Sequence, residues 1–163
     1  MGTFEYAGRL ADKECLRQLT NYTIQRHYPE IDLKGNYALE FLQKVADKQL
    51  DLIVNWLRVG FIHGVMNTDN MSIAGETIDY GPCAFMNRYH PKTVFSSIDE
   101  NGRYAFDNQI NMALWNLTRF AEMLLSLIHE DNQIAIQLAT KVLEEFPDKY
   151  HQKFNAMMGK KLG

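Results

Sequence analysis

The chain has 163 residues, enough for one domain with a real core, and its 46% apolar and 23% charged residues are ordinary for a globular protein. A net charge of −3 and the lack of any basic run argue against a nucleic-acid partner, and no apolar run approaches the length of a membrane span. The opening residues MGTFEYAGRLADKE hold no apolar signal core, and the two cysteines, Cys15 and Cys83, make neither a disulfide framework nor a zinc site, so the cytoplasm is the expected compartment.

From Asp12 to His27 the spacing predicts a helix, with Cys15, Leu16, Leu19, Tyr22 and Thr23 recurring every three to four residues. Pro29 ends it, because the residue before a proline avoids helical angles. A long helix follows from Tyr37 to Val59, capped by Asn36 and stopped by Gly60, with Ala38, Phe41, Leu42, Val45, Leu52, Ile53 and Trp56 on one face. Met71–Ala74 and Thr77–Tyr80 read as two short strands joined by a two-residue turn at Gly75-Glu76. Residues 81–108 are the least regular part, rich in Gly-Pro, His-Pro and Asn-Gly loop markers. Arg88, Arg103 and Tyr104 lie there, and the arginines read first as solvated or salt-bridged surface. Helices are expected again from Asp107 or Asn108 to Ile128, from an Asp131 cap to about Phe146, and from Asp148 to Met158, with Pro147 as a break and the last five residues frayed. The fold class is therefore mainly α with a small β-hairpin.

The stretch His63 to Pro82, HGVMNTDNMSIAGETIDYGP, is the one around which the chain is organised. Asp69 and Asn70 stand before the expected hairpin and Asp79 stands after it, so the fold-back would bring Asn70 and Asp79 together at its open end. Oxygen-bearing side chains gathered in this way suit a hard divalent cation. Singly, each is more often a turn former than a ligand, and a slip of one residue in register turns Asp79 to the other face.

A kinase-type site needs an Asn and an Asp on metal, plus a carboxylate to orient the nucleophile. Its usual order is His-x-Asp, an Asn five residues later, a strand pair and Asp-x-Gly. Here His63 opens the loop, Asn70 takes the Asn position and Asp79-Tyr80-Gly81 forms the triplet. Val65 occupies the position of the catalytic Asp and can neither take a proton nor bind a metal. Asp69 is the substitute carboxylate, and His63 is expected to brace the loop by hydrogen bonding.

The stretch His63 to Pro82 resembles the core motif of the selenoprotein O family, pseudokinase-fold enzymes that transfer AMP from ATP to protein hydroxyls. Gly2-Thr3-Phe4-Glu5-Tyr6 resembles the segment where that family's chain enters its larger lobe. Residues Gly102 to Gln109 and Ala113 to Leu117 resemble the next segment and helix, so the likeness runs through most of the chain in order. It implies that Asn70 and Asp79 bind Mg²⁺ or Mn²⁺, that Asp69 is the catalytic base, and that ATP is a substrate held in a flipped orientation. It also implies Ser, Thr or Tyr hydroxyls of proteins as acceptors, and part of the C-terminal lobe of a protein-kinase-like fold. Bacterial relatives are cytoplasmic and eukaryotic ones mitochondrial.

Family members carry an upstream lobe with a glycine-rich loop, a lysine, a glutamate and phosphate-holding arginines, and continue to a redox-active tail. None of these is legible here. Residues 1–163 are thus expected to be one domain and a fragment, with the catalytic loop and metal-binding hairpin at 61–82. Alone, it should bind Mg-ATP weakly and transfer nothing measurable. Two other readings compete: a non-catalytic pseudokinase module acting by protein binding, favoured by Val65, and a plain helical interaction domain in which Asp69, Asn70 and Asp79 are turn residues.

Overall fold

Caps and apolar spacing account for most of the helices. The computed structural model describes residues 1–10 and 12–163, and among these it has six α-helices and one two-stranded antiparallel sheet. Helix α1 (Gly2–Arg9) was not legible as a helix in the sequence. Helix α2 (Lys13–His27) starts where the Asp12 carboxylate accepts the Glu14 and Cys15 N–H groups, both at 3.0 Å. Helix α3 (Tyr37–Val59) has the expected bounds: the Asn36 side chain accepts the Leu39 N–H, and Gly60, in the left-handed region, closes it.

Helix α3 is the axis of the core. Phe41, Leu42, Val45, Leu50 and Ile53 are wholly buried, and α4 (Gln109–Ile128) packs along them. Four aromatic rings join four parts of the chain. Phe4 of α1 lies edge-on to Phe120 of α4 at 5.0 Å, Phe41 of α3 meets Phe120 at 5.4 Å, and Tyr28, just after α2, meets Phe41 at 5.4 Å. Edge-to-face packing places the positive rim of one ring on the negative face of the next.

Helix α5 (Asn132–Glu144) begins at Asp131 as expected, with the Asp131 carboxylate accepting the Gln133 and Ile134 N–H groups at 2.8 and 3.2 Å. Asp131→Ala leaves those donors without the cap and is expected to cost about 1 kcal/mol, read from a denaturant midpoint at unchanged slope.

The last helix departs from expectation at both ends: α6 runs Phe146–Leu162. Pro147 lies in its first turn, where no intrahelical N–H is needed, so it starts the helix. The far end is tied down, because the Lys161 ammonium donates to the Arg58 carbonyl at the end of α3 at 2.6 Å, and Lys153 pairs with Asp51.

The expected strands Met71–Ala74 and Thr77–Tyr80 do not form. That segment has a single antiparallel bridge, Met71 to Thr77, and its turn is closed by the Gly75 N–H on the Ser72 carbonyl. The pairing is displaced by three residues from the one that a Gly75-Glu76 turn sets. Side chains explain the shift. Gln49 donates to the Ser72 carbonyl at 2.6 Å, the Tyr28 hydroxyl donates to the Ile73 carbonyl, and Trp56 donates to the Thr77 hydroxyl at 2.8 Å. Carbonyls that a ladder would use are taken by the helices beneath. Gly75 itself sits at φ 73°, and a Cβ there would meet the Lys48 Cβ at 2.8 Å. The sheet instead joins β1 (Phe61–Ile62) to β2 (Ala84–Phe85), pairing Phe61 with Phe85 and Ile62 with Ala84.

Candidate functional site

The loop after β1 carries the candidate residues, and helices hold it from below. Gln109 accepts the His63 N–H and donates to the Phe61 carbonyl, both at 3.0 Å. Asn116 donates to the Met66 carbonyl at 2.8 Å. The Tyr104 hydroxyl donates to the Asn67 side-chain oxygen at 2.6 Å, and the Thr68 hydroxyl donates to the Glu5 carboxylate at 2.6 Å. Loop backbone that cannot pair with itself must find partners elsewhere; here Gln109 and Asn116 of α4 and Gln49 of α3 supply them, while Glu5 and Tyr104 hold loop side chains.

His63 is fully buried and stacks on Trp56 at 5.3 Å. Its Nδ1 accepts the Val65 N–H at 3.4 Å, so Nε2 carries the proton and donates to the Ile78 carbonyl at 2.8 Å. One neutral ring thus ties the residue before Asp79 to Val65. In turn, the Asn70 amide nitrogen donates to the Val65 carbonyl at 3.1 Å. Val65, where a carboxylate was expected, contributes its backbone. These three hydrogen bonds link the Asn70 turn, through Val65 and His63, to Ile78 beside Asp79.

Asp69 and Asn70 lie on a single 3₁₀ turn, Thr68–Asn70. Asp69 and Asp79 are exposed and Asn70 is half-buried. Neither aspartate side chain accepts a hydrogen bond or joins an ion pair among the described residues. With its nitrogen engaged, Asn70 turns its oxygen free. Two carboxylates and an amide oxygen are a hard donor set, which fits a divalent cation of the Mg²⁺ kind. No group of three or more His, Cys, Asp or Glu side chains that could hold a metal occurs among the described residues, so any cation site on this loop depends on the amide. Asp79 has φ 55°, the one positive value at a non-glycine among the described residues, and its carbonyl accepts the Gly81 N–H at 2.8 Å in a tight turn about Tyr80. Backbone strain of this kind persists where the surroundings enforce it, often at functional sites. A cleft of about 350 Å³ between α1, α2 and the loop has Asp69 and Ile78 among its lining residues.

Glu5 was not singled out in the sequence. The Thr68 hydrogen bond holds its carboxyl below the ordinary 4.5; burial pushes back, and Arg9 and then Arg119 add smaller pulls in the same direction as Thr68. A depressed folded-state value means stability that is present above pH 4.5 and lost as pH falls through the folded value. Below pH 4.5, acid unfolding of Glu5→Gln is therefore expected to show a shallower loss of stability than the parent chain, in urea melts at stepped pH.

Gln49 and Asn116 were also missed as loop holders, although a signal existed. Gln49 sits four residues from both Val45 and Ile53, and Asn116 four from both Met112 and Phe120, so each is a polar residue on an apolar helical stripe.

Proteins that resemble this chain are named for nucleotidyl transfer. It is 56% identical over 163 residues to Protein nucleotidyltransferase YdiU of Brevibacillus brevis, covering 33% of that protein. It is 55% identical to the protein of the same name from Pelagibacter ubique and 53% identical to that from Alcanivorax borkumensis, covering 34% of each. The chain thus spans about a third of the length of these curated relatives. The family model described as Protein adenylyltransferase SelO matches residues 1–163, and the chain belongs to that family.

Proposed function

We propose that this chain is the catalytic-lobe portion of a protein adenylyltransferase that moves AMP from ATP to Ser, Thr or Tyr hydroxyls of proteins. In this reading it forms part of the C-terminal lobe of a kinase-like fold, and the remaining lobe of the same protein supplies the rest of the ATP site. Asn70 and Asp79 hold Mg²⁺ or Mn²⁺, and Asp69 takes the proton of the acceptor hydroxyl. A divalent cation, when bound, neutralises charge on the phosphates. The acceptor oxygen bonds to the α-phosphorus, the bond from that phosphorus to the pyrophosphate oxygen breaks, and pyrophosphate leaves. The loop's part is to hold its oxygens still while charge moves, which is where most of the rate gain in such transfers originates.

The observation that supports this reading is the hydrogen-bonded run Asn70–Val65–His63–Ile78, which links the Asn70 turn to the residue before Asp79. The test is the full-length protein with ATP labelled in the α-phosphate. Label on protein, lost in Asp69→Asn, supports the reading. Absence of label on any protein, under Mg²⁺ and Mn²⁺ alike, overturns it. The 163-residue chain alone is expected to give no label. The second reading, a pseudokinase module that works by binding a partner, is favoured by Val65; it requires partner capture that survives Asp79→Asn.

A further inference from the structure

We propose that helix α1 is a positioning element for the transfer reaction, setting the place of Asp69 through Glu5 and Gly2. This inference rests on Asp69 being the base, and it assigns roles to residues outside the loop. Two contacts carry it independently. The first is the bond from the Thr68 hydroxyl to Glu5 at 2.6 Å. Thr68 is 9% exposed and directly precedes Asp69, so its side chain anchors the turn from which Asp69 projects. An ionised acceptor makes this bond shorter and stronger than a neutral one would. Arg9 from the same helix pairs with Glu5, and the charge of Arg119 of α4 adds a smaller pull toward the ionised carboxylate.

The second contact involves no hydrogen bond. A Cβ added at Gly2 would stand 3.0 Å from the Asp69 Cα and 3.2 Å from its Cβ. The first turn of α1 therefore rests against the Asp69 backbone, and a side chain at position 2 would have to push that backbone back by a few tenths of an ångström. One contact pulls on the turn through Thr68 and the other stops it at Asp69. Between them they fix a residue whose own carboxylate no protein group restrains, as a group meant to meet a substrate hydroxyl requires.

The experiment is steady-state AMP transfer by the full-length protein carrying Thr68→Val, Thr68→Ser, Glu5→Gln or Gly2→Ala. Thr68→Val keeps the shape and removes the donor. It is expected to lower kcat about 10- to 100-fold while KM for ATP changes less than about twofold, because Asn70 keeps its own bond to the Val65 carbonyl and Asp79 lies outside this turn. Thr68→Ser, which keeps the hydroxyl, is expected to recover kcat to within about threefold of the parent protein, and Gly2→Ala to lower kcat as Thr68→Val does. Melting temperatures measured alongside separate positioning from stability. The proposal is overturned if Thr68→Val retains parental kcat, or if its loss follows the melting temperature and Thr68→Ser does not recover it. Asp69→Asn in the same series keeps the two levels apart. If it transfers AMP normally, the base assignment fails; if it is inactive while Thr68→Val is fully active, only the role of α1 fails.

Discussion

Asp79→Asn in the full-length protein is expected to lower AMP transfer by about 10²- to 10³-fold, the scale on which loss of one aimed electrostatic group acts. Asparagine is the informative replacement. Asp79 sits at φ 55°, a conformation that Asn tolerates and Ala resists, so Asp79→Asn changes charge with little backbone penalty. The residue is exposed and makes no side-chain hydrogen bond among the described residues, so the melting temperature should stay near that of the parent. Asn70→Ala is expected to lose activity on the same scale, but it also frees the Val65 carbonyl and thus loosens the His63 clamp. Calorimetry of nucleotide binding with and without Mg²⁺ separates the two variants from a folding defect. Full activity in Asp79→Asn would remove it from the proposed metal site.

The largest stability effect is expected at Phe41. It is wholly buried and touches the rings of Phe4, Tyr28 and Phe120, so Phe41→Ala opens a cavity where α1, α2, α3 and α4 meet. Large-to-small changes of this type cost about 3–5 kcal/mol, much of it from the void. Urea unfolding of the 163-residue chain measures it. A loss under about 1 kcal/mol would mean that the four-ring cluster contributes little beyond its neighbours. Phe41→Leu, which fills part of the void, is expected to lose markedly less.

The helices were largely legible because their signals are local. Asn36 and Gly60 bracket α3 with cap chemistry, and Asp131 starts α5, where side chain and backbone lie within three residues of each other. Pro147 misled because proline can begin a helix as readily as end one, and the choice depends on whether Phe146 has a core to enter; it does, at 2% exposure. The hairpin failed for a non-local reason. Its register is decided by Tyr28, Gln49 and Trp56, which lie between 21 and 45 residues away in sequence. Helix α1 lacked a clear sequence signal, since Met1 caps it without a side-chain bond, and its role emerges only where Glu5 reaches Thr68 across 63 residues. Within the candidate site, the residue types of Asp69, Asn70 and Asp79 could be read in order from the sequence. Their supports could not, because a buried amide such as Gln109 declares its partner only once the fold brings position 63 beside it.

Because helical side chains satisfy so much of the loop's backbone, the loop has few ways of opening by itself. In most proteins a stretch without regular structure surrenders its amide protons to solvent quickly, through small local excursions. Here the His63 N–H is buried against Gln109, and the Val65 N–H is bound to a ring that is itself sealed in the core. Deuterium should reach these amides about as slowly as it reaches the middle of α3, on the clock of whole-chain unfolding. Irregular as it is, the loop would behave kinetically as core.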